Sequence, residues 1–246
     1  MAMAAPKRSS KRSYDSYGKY IHAVLGQVDP AYQISSDSID VMDDIIKGVL
    51  AEMHDAMHSA MTLTKVQTLM VPAVEAAVLL VLPGKIKENA VDVGRNAVVT
   101  FTKAPAGTKG DTVSRSQRAN LQFSISRVEN ALSDLHFPRI SSRAAVYTAA
   151  VLEYITAEIL ELSRNATRDG KRQRIMPRHI TLAITNDEEL RQIVKKDTIA
   201  SGGVRPYIAP VLLPKKKESR RISASEKEAP PKKKAAPRKK ASPKKK

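Results

Sequence analysis

The sequence predicts an all-α fold in which two similar helical units follow one another along the chain and pair with each other. Apolar residues recur at helical spacing over long segments. The order short helix, long helix, short helix occurs twice, on either side of a Gly- and Pro-containing linker at residues 103–114. One such unit cannot bury the apolar stripe of its long helix, whereas two units crossing at their long helices can. We therefore predict an intramolecular pseudo-dimer, with two independent helical bundles as the alternative.

The first unit is predicted to contain four helices. Asp29 and Pro30 end the first of them. Pro72 lies where a first helical residue would be, and Pro83 with Gly84 ends that helix. The predicted helices span residues 17–28, 37–63, 72–82 and 86–102.

The second unit repeats this plan. Gly170 is the predicted C-cap of its long helix, and Pro177 opens the short helix after it. The first two helices are predicted at residues 124–132 and 144–168.

The positive charge is concentrated at the two ends of the chain. Of the formal net charge of +17, residues 214–246 contribute +12, with 15 Lys or Arg against 3 Asp or Glu, and residues 1–13 contribute +4. Such ends cannot bury enough apolar surface to fold, which predicts disordered tails that bind a polyanion. Nucleic acid is favoured over an anionic membrane, because the tail has no apolar face to insert. The cations of the N-terminal arm are Lys7, Arg8, Lys11 and Arg12.

Several function classes are excluded by composition. The chain has no cysteine, so it has neither a disulfide framework nor a thiolate for zinc binding or catalysis. No apolar stretch reaches the roughly 18 residues of a membrane span, and the N-terminus lacks the apolar segment of a signal peptide.

The stretch AAVLEYITAEILEL at residues 149–162 places three glutamates in an apolar helix. At 100° per residue, Glu153, Glu158 and Glu161 fall within an arc of about 140° on one face. That face cannot belong to the core, so it is either a solvated surface or a binding surface.

Several stretches resemble core histones. RSQRANLQFSISRV at 115–128, AAVLEYITAEILELSRNATRDGKRQRIMPRHITLAITNDEEL at 149–190 and TIASGGVRPYIAPVLLPKK at 198–216 are similar to histone 2A. SYGKYIHAVLGQVDPAYQISS at 16–36 and VLLVLPGKIKENAVDVGRNAV at 78–98 are similar to histone 2B. The order of the two halves resembles the fused histone doublets of giant DNA viruses of the marseillevirus type.

The resemblance implies two tandem histone folds that pair intramolecularly as a handshake pseudo-heterodimer, the first loop of each half lying beside the second loop of the other. It implies a structural chromatin protein, not an enzyme and without a cofactor, that wraps double-stranded DNA without sequence specificity. The implied partner is a histone 4 and histone 3 type doublet, and the implied location is the virion and the viral DNA of an infected cell, or otherwise nuclear chromatin. The implied division is a basic arm at 1–13, a 2B-like fold at 14–102, a linker at 103–114, a 2A-like fold with docking segment at 115–213 and a lysine-rich tail at 214–246.

The resemblance also implies a set of DNA-contacting residues. Arginine in a loop beside a helix end can bridge phosphates or enter a narrowed minor groove. The second half supplies Arg115, Arg118, Arg127, Arg139, Arg174, Lys171 and Arg172. The first half supplies Ser35, Ser36, Lys65 and Thr68, together with the cations of the N-terminal arm.

Two further surfaces follow from the resemblance. The acidic patch of histone 2A accepts arginine side chains of chromatin factors, and a docking segment after it lies on the histone 3 and 4 tetramer. The patch residues are Glu153, Glu158, Glu161, Asp187, Glu188 and Glu189. The docking residues are Gly202, Gly203, Val204 and Ile208.

The first half departs from the histone 2B pattern. Val66 occupies the position of a minor-groove arginine, and Asp37 follows the two loop serines where the family has lysine. We expect this half to hold DNA less strongly than in a cellular nucleosome. Lys85 and Val93 replace two glutamates of the acidic rim, and Leu63 replaces a tyrosine that faces histone 4. We therefore expect the proteins that bind these two surfaces to differ from the partners of cellular histones.

The sequence has features that bear on three other functions. HDAMH at residues 54–58 places two histidines one helical turn apart, as in helical zinc sites, but the sequence suggests no third ligand. A free-standing, linker-histone-like DNA-coating protein would explain the tail but needs neither a docking segment nor a carboxylate cluster. Single-stranded RNA binding is disfavoured because the basic residues are not interleaved with aromatic side chains.

Overall fold

A computed structural model of the protein describes residues 16–104, 113–194 and 199–204. In these ranges the chain is mostly helical. The helices are α1 Gly18–Val28, α2 Ser36–Thr64, α3 Val71–Val81, α4 Gly84–Lys103, α5 Arg115–Arg118, α6 Ile125–Asp134, α7 Ser142–Asp169, α8 Pro177–Asn186 and α9 Glu188–Ile193. Four two-residue strands lie between them: β1 Gln33–Ile34, β2 Thr68–Leu69, β3 Arg139–Ile140 and β4 Arg174–Ile175.

The predicted helices are present, with ends that differ by a few residues. The prediction of an all-α fold missed the four strands, which form two parallel two-stranded ladders. A two-residue strand leaves no alternating pattern in a sequence, so periodicity could not reveal it.

The two ladders join the halves of the chain crosswise. β1, which precedes α2, pairs with β4, which follows α7. β2, which follows α2, pairs with β3, which precedes α7. The two long helices therefore run between the same two ladders, which lie at opposite ends of each helix. A helix of 28 residues such as α7 is about 40 Å long at 1.5 Å per residue, and this sets the separation of the ladders.

Helix α7 is the centre of the core. Every residue from 144 to 152 is buried, so this part of the helix is covered on all sides. Helices α1, α2, α3, α4, α6 and α8 all pack against it. Aliphatic side chains and methionines from both halves fill one continuous cluster, in agreement with the scarcity of aromatic residues.

Gly94 allows α4 to approach α7 closely. A Cβ atom built on Gly94 would lie 2.6 Å from Cζ and 2.7 Å from Cε1 of Tyr147. Burial, the largest cause, raises the pKa of Tyr147 to about 12, and its hydroxyl donates to the carbonyl of Val91 at 3.4 Å. A glycine at this position lets an aromatic ring lie flat against the helix backbone.

Both long helices end in the same way. The first residue past the helix is Lys65 for α2, with φ of 55°, and the left-handed residue after α7 is Lys171, with φ of 52°. Gly170, the predicted C-cap, does cap α7 but with φ of −74°, so the left-handed position is Lys171. The N-terminal arm and the lysine-rich tail lie outside the described residues, as does the predicted linker over 105–112.

Candidate nucleic-acid interface and acidic surface

The β1–β4 loop pair, residues 33–36 with 171–175, gathers cations from the second half. Lys171, Arg172 and Arg174 are all exposed. The guanidinium of Arg174 donates to Oε1 of Gln33 at 3.0 Å, across the ladder in which these two residues are partners. That hydrogen bond orients the arginine without neutralising its charge.

The serines of this loop pair are largely engaged in capping α2. Oγ of Ser35 accepts from the backbone N–H of Ser38 at 3.2 Å, and the Ser38 hydroxyl donates to the Ile175 carbonyl at 3.1 Å. Ser36 donates to the Asp37 carboxylate at 3.4 Å. An anion approaching the first turn of α2 therefore meets the carboxylate of Asp37 as well as the hydroxyls.

The β2–β3 loop pair, residues 65–69 with 139–143, lies at the other end of the long helices. Thr68 is the ladder partner of Arg139. Lys65, Val66 and Arg139 are exposed, whereas Thr68 is half-buried. The two loop pairs thus bring most of the predicted loop cations into two clusters about 40 Å apart.

Arg127 lies on α6, the helix that precedes strand β3 in sequence. Its guanidinium donates to the carbonyl of Ser16 and lies 5.4 Å from the ring centroid of Tyr20, both in the first half. Tyr17 stacks on Phe123 beside it, with 5.5 Å between ring centroids. Arg127 therefore helps to join α6 to the start of α1, in addition to any contact with DNA.

The two arginines before α6 also make contacts within the protein. Arg115 forms an ion pair with Glu129 at 2.6 Å and donates to Ser126. Arg118 donates to the carbonyls of Phe101 and Ala104 and lies 4.5 Å from the Phe101 ring centroid. Cations at the last carbonyls of a helix are stabilising, so Arg118 ties the end of α4 to the second half. Sequence reasoning did not find these roles, because they depend on tertiary partners.

Four of the predicted patch carboxylates are close enough to affect one another. Burial raises the pKa of Glu158, and the neighbouring charges of Glu161, Asp187 and Glu189 raise it further. The Tyr154 hydroxyl donates a hydrogen bond to the Glu158 carboxylate, which opposes this rise. The pKa of Tyr154 itself is raised, mainly by burial. Like charges held together at the junction of α7 and α9 form an anionic surface, to which an arginine or lysine would bind.

Three of the six carboxylates are also structural. Glu189 accepts from the N–H groups of Lys85 at 3.1 Å and Ile86 at 3.0 Å, which caps α4, and these bonds lower its pKa. Asp187 caps α9 by accepting from Leu190 at 2.7 Å. Glu153 accepts from Phe123 N–H at 2.8 Å, although burial raises its pKa. Glu188 is exposed.

Val93 and the half-buried Glu153 line one cavity of about 230 Å³ with Tyr154, Val24 and Val28. The charge of Lys85 contributes to lowering the pKa of Glu189. One carboxylate of the predicted patch therefore adjoins an apolar side chain, and another interacts with a cation.

The first of the predicted docking residues, Gly202, packs against α8. Gly202 is buried, and a Cβ atom on it would lie 2.1 Å from Oγ1 of Thr181. Gly203 has φ of 70°, and Arg178 donates to the carbonyl of Gly202 at 3.2 Å. Val204 is 85% exposed. Arg178 thus holds the start of the segment against α8. Ile208 lies outside the described residues.

The histidine pair offers no metal site within the described residues. The rings of His54 and His58 are 6.1 Å apart, and His54 contacts Asp55 and the edge of Phe137. No cluster of three or more potential protein ligands occurs in the part of the chain that the structure describes. Over the same ranges, none of the helices combines the length and apolar character needed to cross a membrane.

A mostly helical fold with exposed cations at both loop pairs is consistent with a structural protein that packages DNA, and comparison with known proteins identifies the family. The family described as "Core histone H2A/H2B/H3/H4 domain" matches residues 108–186, and that described as "C-terminus of histone H2A" matches residues 188–221. "Probable histone H2A.5" of Oryza sativa subsp. indica is 48% identical over 150 residues, which cover 61% of this chain and 88% of that protein. The chain therefore belongs to the histone family.

Membership has two direct implications. The second half, through residue 221, is of the histone 2A type. Histones are structural and not enzymatic, and the membership is consistent with a role in packaging DNA in chromatin.

Proposed function

We propose that this chain is a histone doublet, a 2B-like fold followed by a 2A-like fold, that wraps double-stranded DNA without sequence specificity. The two folds pair as a handshake within one chain. Together with a doublet or separate histones of the 4 and 3 types, the chain forms a nucleosome-like particle.

The observation that carries the proposal is the crosswise pairing of the loops. Each ladder combines the strand before one long helix with the strand after the other. The pairing brings exposed cations to both ends of the long helices, about 40 Å apart. That distance is close to one turn of B-DNA, roughly 34–36 Å, so one duplex can contact both loop pairs along the same face. Contacts of this kind reach phosphates and not base edges, which explains binding without sequence preference.

Exposed apolar side chains in the first half support a histone 4 type partner. Leu63 is 85% exposed at the end of α2, and Leu80 is 74% exposed on α3, with Leu79 beside it at 50%. Large aliphatic side chains of this kind are buried when a partner covers them. The docking segment that starts at Gly202 provides a second contact with the same partner pair.

The anionic surface is proposed as the site for arginine side chains, as in other members of the family. Its flanks carry Val93 and Lys85, so factors selected by a more acidic rim bind this protein less tightly. An arginine-anchored peptide titrated against the chain tests this, since affinity equal to that for a cellular histone pair contradicts it.

The proposed setting is viral. The fusion of a 2B-like half to a 2A-like half is the basis of this assignment, which puts the protein in the virion and on viral DNA in the infected cell, in a viral factory or the nucleus. Nuclear chromatin is the alternative setting, in line with the plant histone that it resembles.

Nuclease digestion of long DNA tests the proposal. The full chain is mixed with DNA in the presence and absence of histone 3 and 4 type partners. A discrete protected length that appears only with the partners is expected. Smooth protection that does not depend on the partners would favour the second candidate, a DNA-coating protein whose lysine-rich tail dominates binding.

A further inference from the structure

The two halves of the protein carry different charges at equivalent loop positions. After α2 the sequence reads KVQTL at residues 65–69, and after α7 it reads KRQRI at 171–175. Both begin with a lysine in the left-handed region and end in a ladder strand. Val66 and Thr68 therefore occupy the positions that Arg172 and Arg174 occupy in the other half.

The loops before the long helices differ as well. QISSD at residues 33–37 corresponds to RISSR at 139–143, with a serine N-cap in both. The second residue of the long helix is Asp37 in α2 and Arg143 in α7. The half that lacks arginine after its long helix also has a carboxylate at the start of that helix.

Because the strands pair crosswise, each loop of the first half, which has few cations, lies beside a loop of the second half, which has more. At the β2–β3 loop pair, the backbone N–H of Ser141 donates to the carbonyl of Leu69 at 3.0 Å, directly after the ladder. Arg143 follows two residues later and is exposed. It thus lies at the same loop pair as Val66, and adds to the charges of Arg139 and Lys65. The β1–β4 loop pair has Asp37 at the equivalent position but already holds Arg172 and Arg174.

The position of Arg143 is unfavourable for helix stability. A cation in the first turn opposes the helix dipole, and Ser141 makes no side-chain hydrogen bond to the helix. Among the described residues, neither Arg143 nor Arg139 forms an ion pair. An exposed arginine without a carboxylate partner, in the same five-residue loop segment as a second one, is suited to bind an anion from outside the protein.

We propose that Arg143 contacts a DNA phosphate and replaces, from the other half, the arginine that is absent at Val66. This inference rests on the proposed function. With Arg143 the β2–β3 loop pair has three cations, Lys65, Arg139 and Arg143, the same number as Lys171, Arg172 and Arg174 at the β1–β4 loop pair. DNA is then held at both ends of the long helices.

Site-specific crosslinking tests the contact directly. The chain has no cysteine, so Arg139→Cys, Arg143→Cys and Arg191→Cys each create a single site for a photoactivatable thiol reagent. Each full-length variant is assembled with DNA and histone 3 and 4 type partners. Crosslinks from positions 139 and 143, but not from 191 on the exposed side of α9, are expected.

The outcomes separate this inference from the proposed function. A crosslink from position 139 without one from 143 would overturn the role of Arg143 and leave the loop pair as a DNA site. An absence of crosslinks from both positions would remove this loop pair from the DNA path and contradict the proposed function. Equal crosslinking from all three positions indicates coating without a defined face, which overturns both.

Charge rescue across the loop pair gives a second measurement. Arg143→Gln is expected to lower the slope of log affinity against log salt by about 1, the effect of one phosphate contact. Adding Val66→Arg to that variant is expected to restore the slope. Arg191→Gln removes the same charge elsewhere and should leave the slope unchanged. Equal slopes for Arg143→Gln and Arg191→Gln would contradict the inference.

Discussion

The two long helices, nearly equal in length, are buried to different extents. In α7, 15 of 28 residues are buried, including an unbroken run of nine, whereas in α2 12 of 29 are buried and its last turn exposes Leu63. Helix α4 of the first half packs along α7, and the described residues of the second half contain no helix of that length after α8. The second half therefore provides the centre of the core, and the first half provides the elements that enclose it.

The same division applies to charge. The second half carries the arginines of both loop pairs, while the first half contributes Gln33, Val66 and Thr68. Because the ladders cross, the charges of one half are distributed to both ends of the molecule. The two halves are unequal in sequence, and they make different contributions to the core and to the exposed positive charge.

Replacement of Gly94 tests how much the close packing of α4 on α7 contributes to the free energy of unfolding. We expect Gly94→Ala to lower the free energy of unfolding by about 1–3 kcal/mol, because the new methyl group meets the buried ring of Tyr147. Gly48→Ala in α2 is the matched control. It has open space around the new Cβ and should stabilise by about 0.5–1 kcal/mol through helix propensity. Urea denaturation measures both, and equal effects would show that α4 is not tightly packed on α7.

Removal of second-half arginines tests the division of charge. Arg139→Gln combined with Arg174→Gln removes one guanidinium from each loop pair, so the salt slope of DNA affinity should fall by about 2. Lys87→Gln combined with Arg191→Gln removes the same charge from α4 and α9 and should have little effect on the slope. A fall of the same size in this control would mean that net charge, and not position, governs binding.

Addition of arginine to the first half sharpens the comparison. Val66→Arg gives that half the cation that its counterpart has at position 172, and should raise the salt slope by about 1. The measurement is DNA release at increasing salt concentration, which gives the slope of log affinity against log salt. Val99→Arg on the exposed side of α4 is the control. An unchanged slope for Val66→Arg would contradict the prediction that the first half lacks a DNA-contacting cation at this position.

Two carboxylates of the second half, Glu189 and Glu153, respond to pH in opposite directions. Hydrogen bonds from the N–H groups of Ile86 and Lys85 lower the pKa of Glu189 below 4.5, so its contribution to stability is present above 4.5 and is lost as pH falls through the folded pKa. Burial raises the pKa of Glu153 above 4.5, so stability decreases as pH rises from 4.5 through the folded pKa.

Conservative replacement of each carboxylate measures these opposite effects. Glu189→Gln should lower stability at neutral pH and have little effect once the carboxylate is protonated. Glu153→Gln should remove the loss of stability above 4.5, because the amide does not ionise and its oxygen can still accept from the N–H group of Phe123. Urea denaturation at several pH values follows both, and parallel pH profiles for the two variants would contradict the assignment.

The helices could be predicted from the sequence because each buries one apolar stripe with a clear period. The starts of α3 and α8 were marked by proline, and the limits of α2 by a serine and a polar link. The left-handed ending at Lys171 was missed because glycine at 170 is the commoner choice for that conformation.

The candidate site was less predictable than the fold. Residue type and resemblance indicated which loops carry cations and which helix face carries carboxylates. They did not indicate that Arg118 holds the last carbonyls of α4, or that Glu189 caps the start of the same helix. Those contacts join residues that are far apart in sequence, so only the packed structure reveals them. Arg143 was missed for the same reason, although the internal similarity of the two halves contained the signal.

The crossed ladders also affect how two copies of the chain can associate. Every contact between the halves could form equally well between the first half of one molecule and the second half of another. The segment from residue 104 to residue 113 spans at most about 30 Å when fully extended, which favours closure within one chain at ordinary concentrations. At high local concentrations, exchange of halves between copies would link them through continuous polypeptide without any new interface.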